Sequence, residues 1–357
     1  MTHARTVAVV LAWNDGPHVV RLLERLRSSS PPPASVVIVD NGSTDGTAAA
    51  IEREYPQHEM IALPGNAGFA RAANAGIRRA LELDAEWVWL LNTDIDLPGD
   101  ALLRLQRAAQ AAATEPVAET SGRLRVTGEK GRCGMVGAIL LESDGSVQAC
   151  GGGRVSLWTG IARHERTGRG RCDYLSGACL LLRADMLREI GLFDEAYFFY
   201  WEDIDLGFRA RERGWTLRTA ADCRVVHREG SSLGRWSEER WYHLFRGMIR
   251  FLDSRAPFPR VAAAARLLHH TATMLRRGRY AAIAGAWSAF GSQRRLPQSP
   301  AAPCDPAGAE REDARAECHA KSRASAHPGA ARARKFYDTS GMHRSSIGTD
   351  TKPLCAS

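Results

Sequence analysis

Glu202, Asp203 and Asp205 follow directly on the aromatic run Phe198-Phe199-Tyr200-Trp201 and open a stretch, Leu206 to Arg213, with helical spacing. Three carboxylates against four bulky rings suit neither a packed core nor a solvated face. They suit a catalytic carboxylate held at the mouth of an apolar pocket. A second acidic cluster, Asn92-Thr93-Asp94-Ile95-Asp96, follows the apolar run Trp87-Val88-Trp89-Leu90-Leu91, which reads as a buried strand. If the chain stays extended beyond that strand, Asp94 and Asp96 face the same side, because side chains alternate with period two. Two hard oxygen ligands on one side of a strand end suit Mg²⁺ or Mn²⁺. The competing role for either aspartate is to cap the helix that begins near Pro98.

The elements that must position these groups are legible as an alternation. Val7 to Trp13 is a short apolar run, Gly16 to Arg27 has helical spacing, and Val36 to Val39 is β-branched and ends in the turn Asp40 to Thr47. Ala48 to Tyr55 then reads as helix, Met60 to Leu63 as strand, Phe69 to Leu83 as helix and Trp87 to Leu91 as strand. Strand and helix in turn predict an α/β fold with a mostly parallel sheet covered on both faces. Such sheets bind ligands outside the carboxyl ends of their strands. Asp40, Asp94 and Asp96 all fall at those ends.

Three N-terminal segments, Val36-Val37-Ile38-Val39-Asp40-Asn41-Gly42-Ser43-Thr44-Asp45-Gly46-Thr47, Asn66-Ala67-Gly68-Phe69-Ala70-Arg71-Ala72-Ala73-Asn74-Ala75-Gly76 and Asn92 to Asp96, resemble motifs of family 2 glycosyltransferases with the GT-A fold. Ser176 to Arg183, Ile190 to Glu195 and Phe199 to Asp205 resemble that family's acceptor-side motifs, in the same order. The resemblance spans residues 5–255 and is nearest the branch of bacterial rhamnosyltransferases and galactofuranosyltransferases.

The resemblance implies specific roles. Asp40 hydrogen-bonds the uracil or thymine of a UDP- or dTDP-sugar, with Asn66 and Arg71 in the donor-side motif. Asp94 and Asp96 hold the Mg²⁺ or Mn²⁺ that bridges the donor diphosphate, and His227 stands where some relatives place a third ligand. Asp203 is the general base. The branch often reads Asn-Pro-Asp with no second acid, so the resemblance carries Asp94 further than Asp96.

Elementary chemistry agrees. A sugar nucleotide already has a good leaving group, so an enzyme must offset charge on the departing diphosphate and take a proton from the acceptor hydroxyl. Glu202 and the aromatic wall are expected to raise the pKa of Asp203 by like charge and desolvation. One base opposite the leaving group implies a single displacement with inversion. Other roles stay open: Asp40 and Asp45 as turn residues, Arg71 as a snorkelling surface side chain, His227 as a structural histidine, Tyr200 and Trp201 as core rather than a stacking platform for an acceptor sugar.

The 357 residues, 44% of them hydrophobic, suffice for a sizeable core. The expected division is a catalytic domain over 1–255, amphipathic helices over 256–295 and a disordered tail over 296–357 that adds nothing to catalysis. Thr114 to Arg132 and Trp158 to Arg171 read as loops, the second standing where the resembled family often carries a mobile flap. Eight cysteines without metal-finger spacing suit reduced thiols. No signal peptide or membrane-spanning run is visible, so a cytoplasmic protein is expected. Basic residues interleaved with apolar ones over Trp241 to Leu252 and Pro259 to Phe290 fit a helical pair packed on the catalytic domain, and also a surface lying on the inner face of a membrane. A net charge of +8 raises nucleic acid as a partner. The basic residues are scattered and match no nucleic-acid motif, so the charge is better assigned to a lipid-linked saccharide or another glycan acceptor. The rival from another class is a non-catalytic glycan-binding or scaffolding relative. A dinucleotide enzyme is disfavoured because no Gly-x-Gly-x-x-Gly follows the first strand.

Overall fold

Among the described residues nine strands form one sheet, and both its first and its last strand reach the site. The computed structural model describes residues 4–114, 132–168, 171–228 and 236–292. The N-terminal strands β1 (Thr6–Ala12), β2 (Ser35–Asp40), β3 (Glu59–Ala62) and β4 (Trp87–Asn92) run parallel in the order β3-β2-β1-β4. The helices between them are α1 (Gly16–Arg27), α2 (Thr47–Glu54) and α3 (Phe69–Glu82). Alternate side chains of each strand enter opposite layers, as the pleat requires. Ala8, Val10, Ile38 and Trp89 pack with α1 and α2 on one face, while Val7, Val9, Val37 and Leu90 pack with α3 on the other.

Beyond β4 the sheet becomes mixed. The strands β5 (Ile95–Asp96), β6 (Arg132–Leu141), β7 (Val147–Cys150), β11 (Cys179–Arg183) and β12 (Trp215–His227) extend it in the order β4-β11-β6-β12-β5, with β7 pairing β6. The helix α4 (Ala101–Thr114) lies on β6 and β12. A separate three-stranded sheet contains β8 (Gly152–Ser156), β9 (Ile161–His164) and β10 (Tyr174–Leu175). The expected loop over Trp158 to Arg171 therefore contains a strand, Ile161–His164, paired antiparallel with β8. The expected loop over Thr114 to Arg132 falls almost wholly on 115–131, outside the described residues.

Two helices, α5 (Ala184–Ile190) and α6 (Glu202–Glu212), cover the α3 face of the sheet. The C-terminal helices α7 (Glu238–Arg255), α8 (Pro259–Arg276) and α9 (Tyr280–Gly291) build a third core with Tyr174, Trp201 and Ile204. The helical reading of Pro259 to Phe290 thus becomes two helices separated by a turn at Gly278. All three helices belong to one compact unit with the sheet, Met1–Cys304. Residues 293–357, which include the expected tail, lie outside the described residues. Cys133, Cys150, Cys172, Cys179 and Cys223 are all free thiols.

Candidate active site

The register of the parallel strands aligns their carboxyl ends. Ala12 pairs Asp40 across β1 and β2, and Leu11 pairs Asn92 across β1 and β4. At this edge opens a cleft of about 250 Å³, walled on the strand side by Leu11, Trp13, Asn41, Thr93 and Asp94. The opposite wall comes from Ser176, Gly177, Phe198, Phe199, Tyr200, Glu202 and Asp203, with Gln148 and His227 at one end. The two acidic clusters, more than a hundred residues apart in sequence, therefore face one cavity.

Asp203 and Glu202 enter the cleft through a strained turn. Tyr200 and Trp201 both have left-handed backbones, φ 71° and 76°, a conformation that costs bulky residues about 1–3 kcal/mol each. Packing enforces it. Trp201 is buried with its ring 5.3 Å from Phe251, and Arg240 stands 5.1 Å over the Tyr200 ring. Gly247 of α7 lies so close that a Cβ there would sit 2.7 Å from the Tyr200 carbonyl oxygen. Of the two aromatics left open by the sequence, Trp201 is core and Tyr200 is cleft wall.

The carboxylate of Asp203 sits in the first turn of α6, where the helix dipole favours an anion. Its Oδ2 accepts from the Gly177 backbone N–H at 3.0 Å and its Oδ1 from Ile204 N–H at 2.8 Å. Burial nonetheless dominates and pushes the Asp203 pKa up to about 6. Glu202 goes further: burial first, then the Asp203 charge, raise it well above the usual carboxylate range. Its Oε2 is buried without a hydrogen-bond partner. The pair therefore titrates as a unit. Near neutral pH the charge rests on Asp203, which holds the two backbone N–H groups. The like-charge effect expected to act on Asp203 falls instead on Glu202. Asp205, the third acid of the cluster, is structural, paired with Arg209 at 2.7 Å and Arg255 at 2.9 Å.

If Asp203 takes the acceptor proton, its pKa of about 6 sets a specific pH profile. We expect kcat/KM to fall about tenfold per pH unit below 6 as Asp203 takes up a proton, and to level off above about pH 7. A flat profile from about pH 5 to 8 would remove Asp203 from the proton transfer. The same shift has a cost in stability. The folded pKa of about 6 exceeds the ordinary 3.8, so the folded state binds the proton more tightly. The stability linked to this proton is complete below about pH 4 and is lost as pH rises through about 6.

Across the cleft, Asp94 Oδ1 is buried and has no hydrogen-bond partner. It lies 3.5 Å from His227 Nε2, long for a hydrogen bond. His227 Nδ1 lies 2.8 Å from Gln148 Oε1. That oxygen can only accept, so Nδ1 carries a hydrogen, and Nε2 is the nitrogen that faces Asp94 and could give a lone pair to an ion. The Gln148 amide nitrogen in turn faces Glu142 Oε1 at 3.4 Å. An orphaned carboxylate oxygen beside an oriented imidazole nitrogen is a donor pair that fits a divalent ion, with Gln148 fixing the tautomer. Among the described residues no group of three or more His, Cys, Asp or Glu is placed to hold a metal, so the remaining ligands would come from substrate and water.

The other expected site residues divide. Asp40 is buried at the end of β2; its Oδ2 accepts from Ser43 N–H at 3.1 Å and its Oδ1 has no partner. Asn66 is a cleft wall, and its Oδ1 accepts from Asn41 Nδ2 at 3.1 Å and Gly68 N–H at 3.0 Å. Asp45 is a local turn residue, accepting from Thr47 N–H and Oγ1. Three expected residues, Asp40, Arg71 and Asp96, are not among those that line the cleft. Arg71 is exposed on α3 and pairs with Glu195 at 3.2 Å. Asp96 pairs with Arg25 of α1 at 3.4 Å, outside the cleft. The chain turns at Thr93-Asp94 before β5 begins, so the extended path that would align Asp94 with Asp96 is interrupted.

A family model described as Glycosyltransferase like family 2 matches residues 3–243. The chain belongs to this family. The glycosyltransferase is 32% identical over 257 residues to the N-acetylglucosaminyl-diphospho-decaprenol L-rhamnosyltransferase of Mycobacterium tuberculosis, covering 64% of this chain and 77% of that protein. It is 25% identical over 230 residues to the succinoglycan biosynthesis protein ExoA of Rhizobium meliloti, covering 61% of each. The structure of GalNAc-T7 with UDP, GalNAc and Mn²⁺ superposes with a TM-score of 0.52 at 12% identity, covering 71% of this chain and 48% of that one. That likeness concerns the fold, the GT-A arrangement expected for a family 2 glycosyltransferase.

Proposed function

We propose that this glycosyltransferase moves a hexosyl group, with inversion and with a divalent ion, from a UDP- or dTDP-sugar to a hydroxyl of a lipid-linked or cell-surface glycan. The observation that carries the proposal is the single cleft walled by Asp94 and His227 on one side and by Asp203 on the other. The 32% identity to a rhamnosyltransferase acting on a lipid-linked N-acetylglucosaminyl diphosphate supports dTDP-rhamnose as donor and an acceptor of that class.

In this reading the unpartnered Asp40 Oδ1 accepts from the ring N–H of uracil or thymine. Asn66, tied to Asn41, holds the loop beside the donor. Asp94 and His227 would hold Mg²⁺ or Mn²⁺, and the ion would offset negative charge on a diphosphate leaving group. Tyr200 and the neighbouring rings flank the acceptor sugar, and Asp203 accepts its hydroxyl proton as the new bond forms. Glu202, neutral beside it, keeps the pair at one negative charge. One carboxylate poised for proton removal supports a single displacement rather than a covalent sugar–enzyme intermediate.

The test is the configuration of the product. With dTDP-rhamnose and a synthetic lipid-linked N-acetylglucosaminyl diphosphate, NMR of the disaccharide is expected to show an anomeric configuration opposite to that of the donor. Retention would exclude the single-base mechanism; failure with dTDP-rhamnose but turnover with a UDP-sugar would correct the donor alone.

A further inference from the structure

We propose that the outward face of α8, with the tip of the β8–β9 hairpin, is a docking surface for a bilayer bearing anionic headgroups. The helix is apolar on two sides. Ala262, Ala263 and Leu267 face the third core, and Met274 is buried on the same helix. Val261, Leu268 and Leu275, spaced by seven, point outward and are 68%, 62% and 53% exposed. A helix buried on one side in a monomer needs no second apolar stripe. The stripe continues at its N-terminal end into Phe258, whose ring lies 6.1 Å from the exposed Trp158 of the β8–β9 turn.

Charge identifies the occupant. From Asp253 to Asp305 the sequence contains no acidic residue between those two, and eight arginines. Arg260, Arg276, Arg277 and Arg279 are exposed at the two ends of the stripe. An apolar stripe rimmed by one sign of charge matches a negatively charged lipid surface, each basic residue adding roughly fivefold to binding. A second copy of the same helix would bring like charges together. Among the described residues no helix is long and apolar enough to cross a membrane, so the contact is lateral.

The surface also has a bearing on the reaction, and this clause rests on the proposed lipid-linked acceptor. His164, at the end of β9, is a wall of the cleft. Trp158 precedes it by six residues, a span of at most about 20 Å. A bilayer under Trp158 and Phe258 therefore lies within reach of an acceptor whose lipid stays embedded while its sugar enters the cleft.

The experiment is vesicle flotation of the full chain, with phosphatidylcholine vesicles with and without phosphatidylglycerol. The expected result is binding that requires phosphatidylglycerol, weakens with added salt, and drops by about tenfold or more in a Val261→Glu, Leu268→Glu, Leu275→Glu variant. Arg276→Ser with Arg277→Ser, on the rim alone, is expected to cost more than about tenfold as well. An unchanged melting temperature shows that the variants fold. No flotation of the wild type, or equal flotation of the triple variant, would overturn the proposal. So would a wild-type dimer by light scattering that the triple variant converts to monomer, which would assign the face to self-association. Flotation needs neither donor nor metal, so these outcomes are independent of the reading of the reaction.

Discussion

Asp203→Asn is expected to lower kcat by about 10²–10⁴ while leaving nucleotide binding unchanged. Asparagine matches aspartate in shape, and its one carbonyl oxygen can keep accepting from the Gly177 N–H, but its amide nitrogen can neither accept from the Ile204 N–H nor take a proton. The loss is therefore one of chemistry, not of fold. Stability should change far less. Burial raises the pKa of Asp203 to about 6, which means that its charge at neutral pH is held against a desolvation penalty. A neutral side chain removes that penalty but leaves the Ile204 N–H without its acceptor, so the two terms oppose and the variant is expected to melt close to the wild-type temperature at about pH 7.5. Turnover within tenfold of wild type would show that the proton leaves elsewhere, with Asp94, Glu202 and Glu239 the other carboxylates on the cleft wall.

The second large effect is at Asp94. Asp94→Asn is expected to reduce turnover by at least about a hundredfold and to abolish the dependence of nucleotide binding on Mn²⁺, because an ion facing a diphosphate supplies several kcal/mol of charge stabilisation. Its Oδ1 has no protein hydrogen bond to lose, so the melting temperature without ligand should scarcely move. Asp96→Asn is the control. Paired with Arg25 and outside the cleft, it should keep turnover within a few-fold of wild type. Equal losses at Asp94 and Asp96 would contradict the geometry and restore the two-aspartate site. Gln148→Ala, which frees the His227 ring, is expected to weaken metal affinity by about 10–100-fold.

These contrasts mark where sequence reasoning reaches and where it stops. The parallel half was legible because period and composition are local: Val7 to Ala12 and Val36 to Val39 are apolar on both faces, and each is followed by a helix with one apolar stripe. That Asp94 and Asp203 line a cleft was legible because acids directly after a buried strand or beside four aromatics have few structural uses. The errors arose where a side chain's direction depends on a turn or on a distant partner. The turn at Thr93-Asp94 breaks the alternation that would have aligned Asp96. Arg71 meets Glu195 from the far side of the chain, which spacing within α3 could not show. Gln148 left one signal, a polar residue in an otherwise apolar strand, Val147–Cys150, but its partner His227 is 79 residues away. The second sheet was missed for a different reason. Gly152 and Gly153 pack backbone against backbone, a Cβ on Gly152 falling 1.9 Å from the Tyr174 carbonyl oxygen, so this strand has no apolar alternation to read.

The most direct test of the account is thermal stabilisation of the wild type and of Asp94→Asn by UDP, dTDP and GDP, each with and without Mn²⁺. A ligand at 100 times its dissociation constant adds about 2.7 kcal/mol to stability, a shift of several degrees. The account predicts stabilisation by UDP or dTDP that needs Mn²⁺ in the wild type and is lost in the variant. Stabilisation independent of Mn²⁺, or unaltered in Asp94→Asn, would contradict the metal-held diphosphate on which the proposed mechanism stands.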